Sequence, residues 1–205
     1  MASGITVDRL AEAKGLPSQV LRSFGVQDEP SGVRIPYVTP DGGPARSRHR
    51  KAVGGSANSW WDDADLPMTA YWHPVVPEFV RRRGALLVVE GESSCWAAWH
   101  GGFGAVGIPG SDEVDLLRPE HLGAAPLVVI VVEPDDPDTY PAGVAYYTGR
   151  LREHLQRIGY RGQVAQLSLD GVAEDLPALH RADSAAFATR LGSLVAEAAT
   201  TVVRL

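Results

Sequence analysis

From residue 84 onward, apolar residues fall in short unbroken runs separated by amphipathic stretches. Leu86-Leu87-Val88-Val89 and Leu127-Val128-Val129-Ile130-Val131-Val132 are dominated by β-branched residues and lack alternation, the pattern of strands covered on both faces. The first ends in Glu90, the second in Glu133-Pro134-Asp135-Asp136. Around them the spacing predicts a helix over 94–100 stopped by Gly101-Gly102, a short strand over 103–108, and a helical turn over 119–123. A helix over 143–158, a strand over 164–167, a short helix over 175–180 and an amphipathic helix over 185–199 follow. Alternating strands and helices imply a parallel sheet with right-handed crossovers, hence an α/β fold.

The first part of the chain has a different pattern. Residues 7–14 read as a short helix stopped by Gly15, and Pro17 opens a second one whose Val20, Leu21 and Phe24 share a face before Gly25. Residues 33–38 alternate as a strand, Pro40-Asp41-Gly42-Gly43 is a turn, and 45–50 return as a second strand. This predicts a small α+β helix-hairpin unit over 1–83 ahead of the main domain over 84–205. Residues 54–59 read as a loop. Trp60, Trp61, Tyr71 and Trp72 then concentrate aromatic area, which suits packing between the two units better than stacking of bases.

At 205 residues and 44% hydrophobic, the chain is long enough for one well-filled core plus an appendage. The lone cysteine, Cys95, excludes an internal disulfide and a Cys-rich zinc site and reads as a buried thiol without a partner base. A reduced, cytoplasmic setting is expected, because the first residues lack a basic-then-apolar leader and no run approaches the ~20 apolar residues of a membrane span. The histidines form no His-x-x-x-His pair and read as exposed or helix-end residues. Ser93 and Ser94 read as helix caps. No Gly-x-Gly-x-x-Gly follows the first main strand, and no Gly-x-x-x-x-Gly-Lys-[Ser/Thr] occurs, which excludes a Rossmann dinucleotide site and a helicase P-loop.

A net charge of −6 excludes a surface that coats nucleic acid throughout, yet the charge is unevenly distributed. Arg46, Arg48, Arg50 and Lys51, with Arg81-Arg82-Arg83, precede the first acidic strand end, whereas Asp135, Asp136 and Asp138 follow the second. A basic surface beside an acidic pocket suits a polyanion, with solvated loops as the bland alternative. Carboxylates at the ends of parallel strands lie where open α/β sheets bind ligands. Oxygen donors without thiol or imidazole favour Mg²⁺ or Mn²⁺, with substrate phosphates as remaining ligands. The Pro109-Gly110-Ser111 turn exposes backbone able to approach a phosphate.

The Val-Val-Glu90-Gly-Glu-Ser strand end, the helix after it, the Gly-Phe103-Gly-Ala-Val-Gly-Ile-Pro-Gly110 return and the Glu133-Pro-Asp135 strand end together resemble a TOPRIM domain, the metal-dependent module of bacterial-type primases, topoisomerases and some nucleases. The Leu-Ala-Glu-Ala-Lys-Gly-Leu-Pro segment over 10–17 and Arg34-Ile-Pro-Tyr37 are similar to segments of primase-like phage and plasmid replication proteins, so the resemblance spans nearly the whole chain.

It implies a Rossmann-like parallel sheet and nucleotidyl transfer from nucleotides on a DNA or RNA template. Glu90 falls in the place of the family's acid-base or metal-holding glutamate. Glu133 and Asp135 match its Mg²⁺-binding acidic pair, with Asp136 and Asp138 beside them, and Asp175 matches a late acidic position. Arg46, Arg48, Arg50 and Lys51 then face nucleic acid, Gly110 and Ser111 a phosphate, and a replicative helicase is an expected partner. Two departures stand out: Ser94 and Glu133 occupy places where many members carry aspartate. The extra methylene of Glu133 moves its carboxylate by about 1.5 Å, enough to alter geometry around octahedral Mg²⁺. A TOPRIM nuclease and a binding module of reduced activity therefore stand as alternatives.

Overall fold

The computed structural model describes residues 4–54, 56–62, 64–110, 112–134 and 143–204. Two helices lead the chain, α1 (Val7–Lys14) and α2 (Ser18–Ser23). The Thr6 hydroxyl caps α1 by accepting from Arg9, and Gly15, at φ 65°, ends it where the sequence predicts. An antiparallel four-stranded meander follows: β1 (Gln27–Glu29), β2 (Gly32–Ile35), β3 (Arg48–Arg50) and β4 (Ser59–Trp61). The predicted hairpin is its centre. β1 and β4, to which the sequence assigns no strand, are three residues long, too short to show a period.

After α3 (Val76–Arg83) the main sheet begins. Its elements are β5 (Leu86–Glu90), α4 (Gly91–His100), β6 (Gly104–Ile108), α5 (Pro119–Leu122), β7 (Leu127–Val132), α6 (Gly143–Arg157), β8 (Gln163–Ser168), α7 (Leu176–Ala182), α8 (Phe187–Ala198) and β9 (Val203–Arg204). The strand order is β6-β5-β7-β8-β9, the first four parallel and β9 antiparallel on β8. All of β7 is buried, as its unbroken apolar run requires. α6 packs on β7 and α8 on β8. Two glycines of β6, three residues apart and therefore on opposite faces of a strand, show how closely helices cover it. A Cβ on Gly104 would lie 2.6 Å from Val80 of α3, and one on Gly107 would lie 2.7 Å from the Gly91 carbonyl oxygen of α4.

The two sheets share one continuous core. Tyr71 pairs through its backbone with Gly107, adding main-chain hydrogen bonds at the outer side of β6. The Tyr71 hydroxyl accepts from the Trp96 indole nitrogen at 2.8 Å, and Tyr37, Trp61, Tyr71 and Trp99 form a chain of edge and tilted ring contacts. α3, which the sequence places in the 1–83 unit, packs against β6 of the main sheet. Among the described residues no helix is long and apolar enough to cross a membrane.

Candidate active site at the carboxyl edge of the sheet

β5 and β7 are neighbours in register, Val88 opposite Ile130, so both run out at the same edge and deliver Glu90 and Glu133 there. The chain turns from β5 into α4 at once because Gly91 adopts φ 69°, a left-handed conformation that spares the helix a separate entry loop. Glu90 is the N-cap residue, but its carboxylate makes no capping bond. Since α4 starts at Gly91 and not at residue 94, Ser94 lies inside the helix, and the capping role expected of it does not hold. Its hydroxyl instead donates to Glu133 Oε1 at 2.7 Å.

A third carboxylate enters from β8's side. Asp175 caps α7 by accepting from the Ala178 backbone at 2.6 Å, and its second oxygen lies 3.7 Å from Lys14 Nζ of α1. Burial raises the pKa of Glu133 to about 7, helped by Glu90 and Asp175 and opposed by the Ser94 hydrogen bond and the Lys14 charge. Glu90, Ser94, Glu133, Asp175 and Lys14 thus form one electrostatic unit. The Tyr147 hydroxyl of α6 feels the charges of Glu90 and Glu133, and it is buried with no hydrogen-bond partner among the described residues.

Asp135, Asp136, Asp138 and Ser111 lie outside the described residues, and among the described residues no group of three His, Cys, Asp or Glu side chains is disposed to hold a metal ion. The donors present nonetheless fit a hard divalent cation. They are oxygen only, and neighbouring negative charge helps burial hold Glu133 protonated near neutrality, an excess that a dication relieves.

The basic set is partly committed within the protein. Arg46 donates to the carbonyl oxygens of Leu66 at 2.9 Å and Ala64 at 2.7 Å. Arg48 lies 3.3 Å from Glu92, donates to Ser59 and to the Pro109 carbonyl oxygen, and sits over the Trp61 ring. Arg50 is half-buried, its Nε with no partner among the described residues, and Lys51 is exposed. Gly110, with Arg48, Ser59, Trp61 and Glu113, lines a cavity of about 400 Å³ between the meander and the main sheet.

Sequence reasoning passed over Glu92. This acid of α4 is 3% exposed and receives hydrogen bonds from the Tyr37 hydroxyl at 2.7 Å and from Arg48. Burial alone would lower the Arg48 pKa, but Glu92 and Tyr37 outweigh it and the guanidinium stays charged. The sequence carries no signal for this group, since Arg48 stands in the polar run Arg46-Ser47-Arg48-His49-Arg50-Lys51 and Glu92 in Glu90-Gly91-Glu92-Ser93-Ser94.

The histidines meet the expectation in part: His100, His121, His154 and His180 stand in the last turns of their helices, but most are not exposed. His49, His121, His154 and His180 are buried. His49 bridges Glu29 and Asp62 at 2.8 and 2.9 Å and stacks on Trp60. Cys95 is fully buried, as expected.

This parallel α/β sheet with acids at its carboxyl edge, joined through one core to an antiparallel sheet, shares its fold with solved primase catalytic domains. The chain is similar to a DnaG primase catalytic domain bound to ssDNA, with a TM-score of 0.66 and 19% identity over 93% of this chain and 70% of that one. It is similar to the zinc-binding and RNA polymerase domains of the Aquifex aeolicus primase, with a TM-score of 0.61 and 16% identity over 83% of this chain. The RNA polymerase domain of Mycobacterium tuberculosis DnaG matches with a TM-score of 0.60 and 14% identity over 91% of this chain and 74% of that one. The match spans 40% of that Aquifex chain. No family model and no curated protein matches the sequence. At these identities the shared property is the fold.

Proposed function

We propose that this chain is the metal-dependent nucleotidyl-transfer core of a primase-like replication protein, of the kind found in phage and plasmid systems. The observation that carries the reading is the pair Glu90 and Glu133 at the ends of adjacent parallel strands, with Glu133 raised to about 7. Glu90 and Glu133 hold Mg²⁺ or Mn²⁺, and the resemblance adds Asp135 and Asp136 to that set. The cation supplies neutralising charge to a transferring phosphoryl group and acidifies the attacking hydroxyl.

The protein's own groups do the rest. Ser94 fixes the orientation of Glu133, and Lys14 moderates the repulsion between Glu133 and Asp175. Arg50 and Lys51 face the template phosphates, whereas Arg46 and Arg48 act from within by holding the meander's loops and its contact with α4. Gly110 and Ser111 border the nucleotide's phosphates. DNA or RNA template, nucleotides and a replicative helicase are the partners, in the cytoplasm.

The test incubates the purified chain with single-stranded DNA, labelled nucleotides and Mg²⁺ or Mn²⁺ and reads product length, beside Glu90→Gln and Glu133→Ala. Extension lost in both variants supports the reading. Metal-dependent shortening of the DNA replaces it with the nuclease. No product, with metal bound and DNA retained, replaces it with a binding module.

A further inference from the structure

Tyr147 is the fifth residue of α6, 3% exposed, and its hydroxyl is buried with no hydrogen-bond partner among the described residues. Burial pushes the phenol's pKa well up, and the carboxylates of Glu90 and Glu133 push it further, in that order. It therefore stays a protonated donor beside the two acids. A buried hydroxyl gives up its hydrogen bonds to water and, left unmade, lowers stability. Phenylalanine would fill the same volume without that cost, so the oxygen here needs an explanation outside packing.

We infer that the Tyr147 hydroxyl is a binding group that donates to an oxygen arriving with the site's divalent cation, either a water of its hydration shell or a phosphate oxygen of a nucleotide. The inference rests on the reading of Glu90 and Glu133 as cation ligands. In that state the buried donor gains the partner it now lacks, and α6 becomes tied to the ends of β5 and β7 through the bound species. Tyr147 belongs neither to the acidic set nor to the basic one, and its role needs no proton transfer.

The experiment uses the full chain, wild type and Tyr147→Phe. Melting temperature is measured without metal, with MnCl₂, and with MnCl₂ plus ATP, and Mn²⁺ affinity is read from the electron paramagnetic resonance of the free ion. Without metal, Tyr147→Phe melts at or above the wild-type temperature, because no bond is lost. Its affinity falls about fivefold to tenfold, the range of one hydrogen bond. A loss seen with Mn²⁺ alone assigns the partner as water, and a loss appearing only with ATP assigns a phosphate oxygen. Equal affinity of variant and wild type in both conditions overturns the inference while leaving the metal site standing. So does a variant that melts several degrees lower without metal, since the hydroxyl would then have a structural partner. Failure of the wild type itself to bind Mn²⁺ removes the metal reading and this inference together.

Discussion

Ser94 Oγ lies 2.7 Å from Glu133 Oε1, a hydrogen bond that joins the helix after β5 to the end of β7. A hydroxyl donor favours the ionised carboxylate, so it works against the burial that raises Glu133 to about 7. Ser94→Ala is expected to move the Glu133 titration upward, and Ser94→Asp, which adds a like charge, to move it further. Carbon NMR of the labelled carboxyl group reads both. An unchanged midpoint in Ser94→Ala would show that the bond does not tune the acid.

Two buried groups give stability opposite dependences on pH. Glu133 is raised from 4.5 to about 7, so its contribution is fully present below 4.5 and is lost as pH rises to 7. His121 accepts from the Arg118 backbone and pairs with Thr69, and burial lowers its pKa from 6.5 to about 4. Its contribution is present above 6.5 and is lost as pH falls to about 4. Each amounts to about 3 kcal/mol at 1.36 kcal/mol per unit. Across pH 4.5 to 6.5 the two offset each other. Urea denaturation should therefore show stability rising with pH more steeply in Glu133→Gln than in wild type, and falling relative to wild type in His121→Asn. Parallel curves for all three proteins would refute the opposition.

Cation binding at Glu133 must displace a proton. With a pKa of about 7, the carboxyl is half protonated at neutrality, so Mn²⁺ binding at pH 7 should release about half a proton from this group. Calorimetry in two buffers of different ionisation enthalpy measures it. Release should approach zero in Glu133→Gln, and equal release in both proteins would assign the proton to another group.

Glu92 ties the meander to the main sheet through Tyr37 and Arg48. Glu92→Ala leaves a largely buried guanidinium uncompensated and is expected to cost about 3 kcal/mol, against about 1 kcal/mol for Tyr37→Phe, which removes one hydrogen bond. Equilibrium denaturation monitored by tryptophan fluorescence reports both. A Glu92→Ala cost no larger than that of Tyr37→Phe would reduce the ion pair to a surface contact.

The parallel strands were legible because β5 and β7 are unbroken apolar runs, and α1 because its Thr6 cap and Gly15 stop bracket a helical spacing. α3 was missed: Pro77 and the Arg81-Arg82-Arg83 run hide its two buried positions, Val76 and Val80. Pro77 is in fact admissible in a first turn, where an amide hydrogen has no helical partner. β9 is two residues long and leaves no pattern. Glu90 and Glu133 stood out at strand ends, whereas Glu92 did not, because a Glu-Gly-Glu sequence does not say which acid points inward. The start of α4 at Gly91 decides that, and it depends on a positive φ that composition does not announce.

The backbone pairing of Tyr71 with Gly107 bears on how the molecule meets others. One border of the parallel sheet meets the chain's own earlier segment at Gly107, and on the opposite border β9 covers Gln163 and Val164 of β8. At those positions the backbone groups that a foreign strand would recruit are already paired, so strand addition there would first have to displace the chain's own segments.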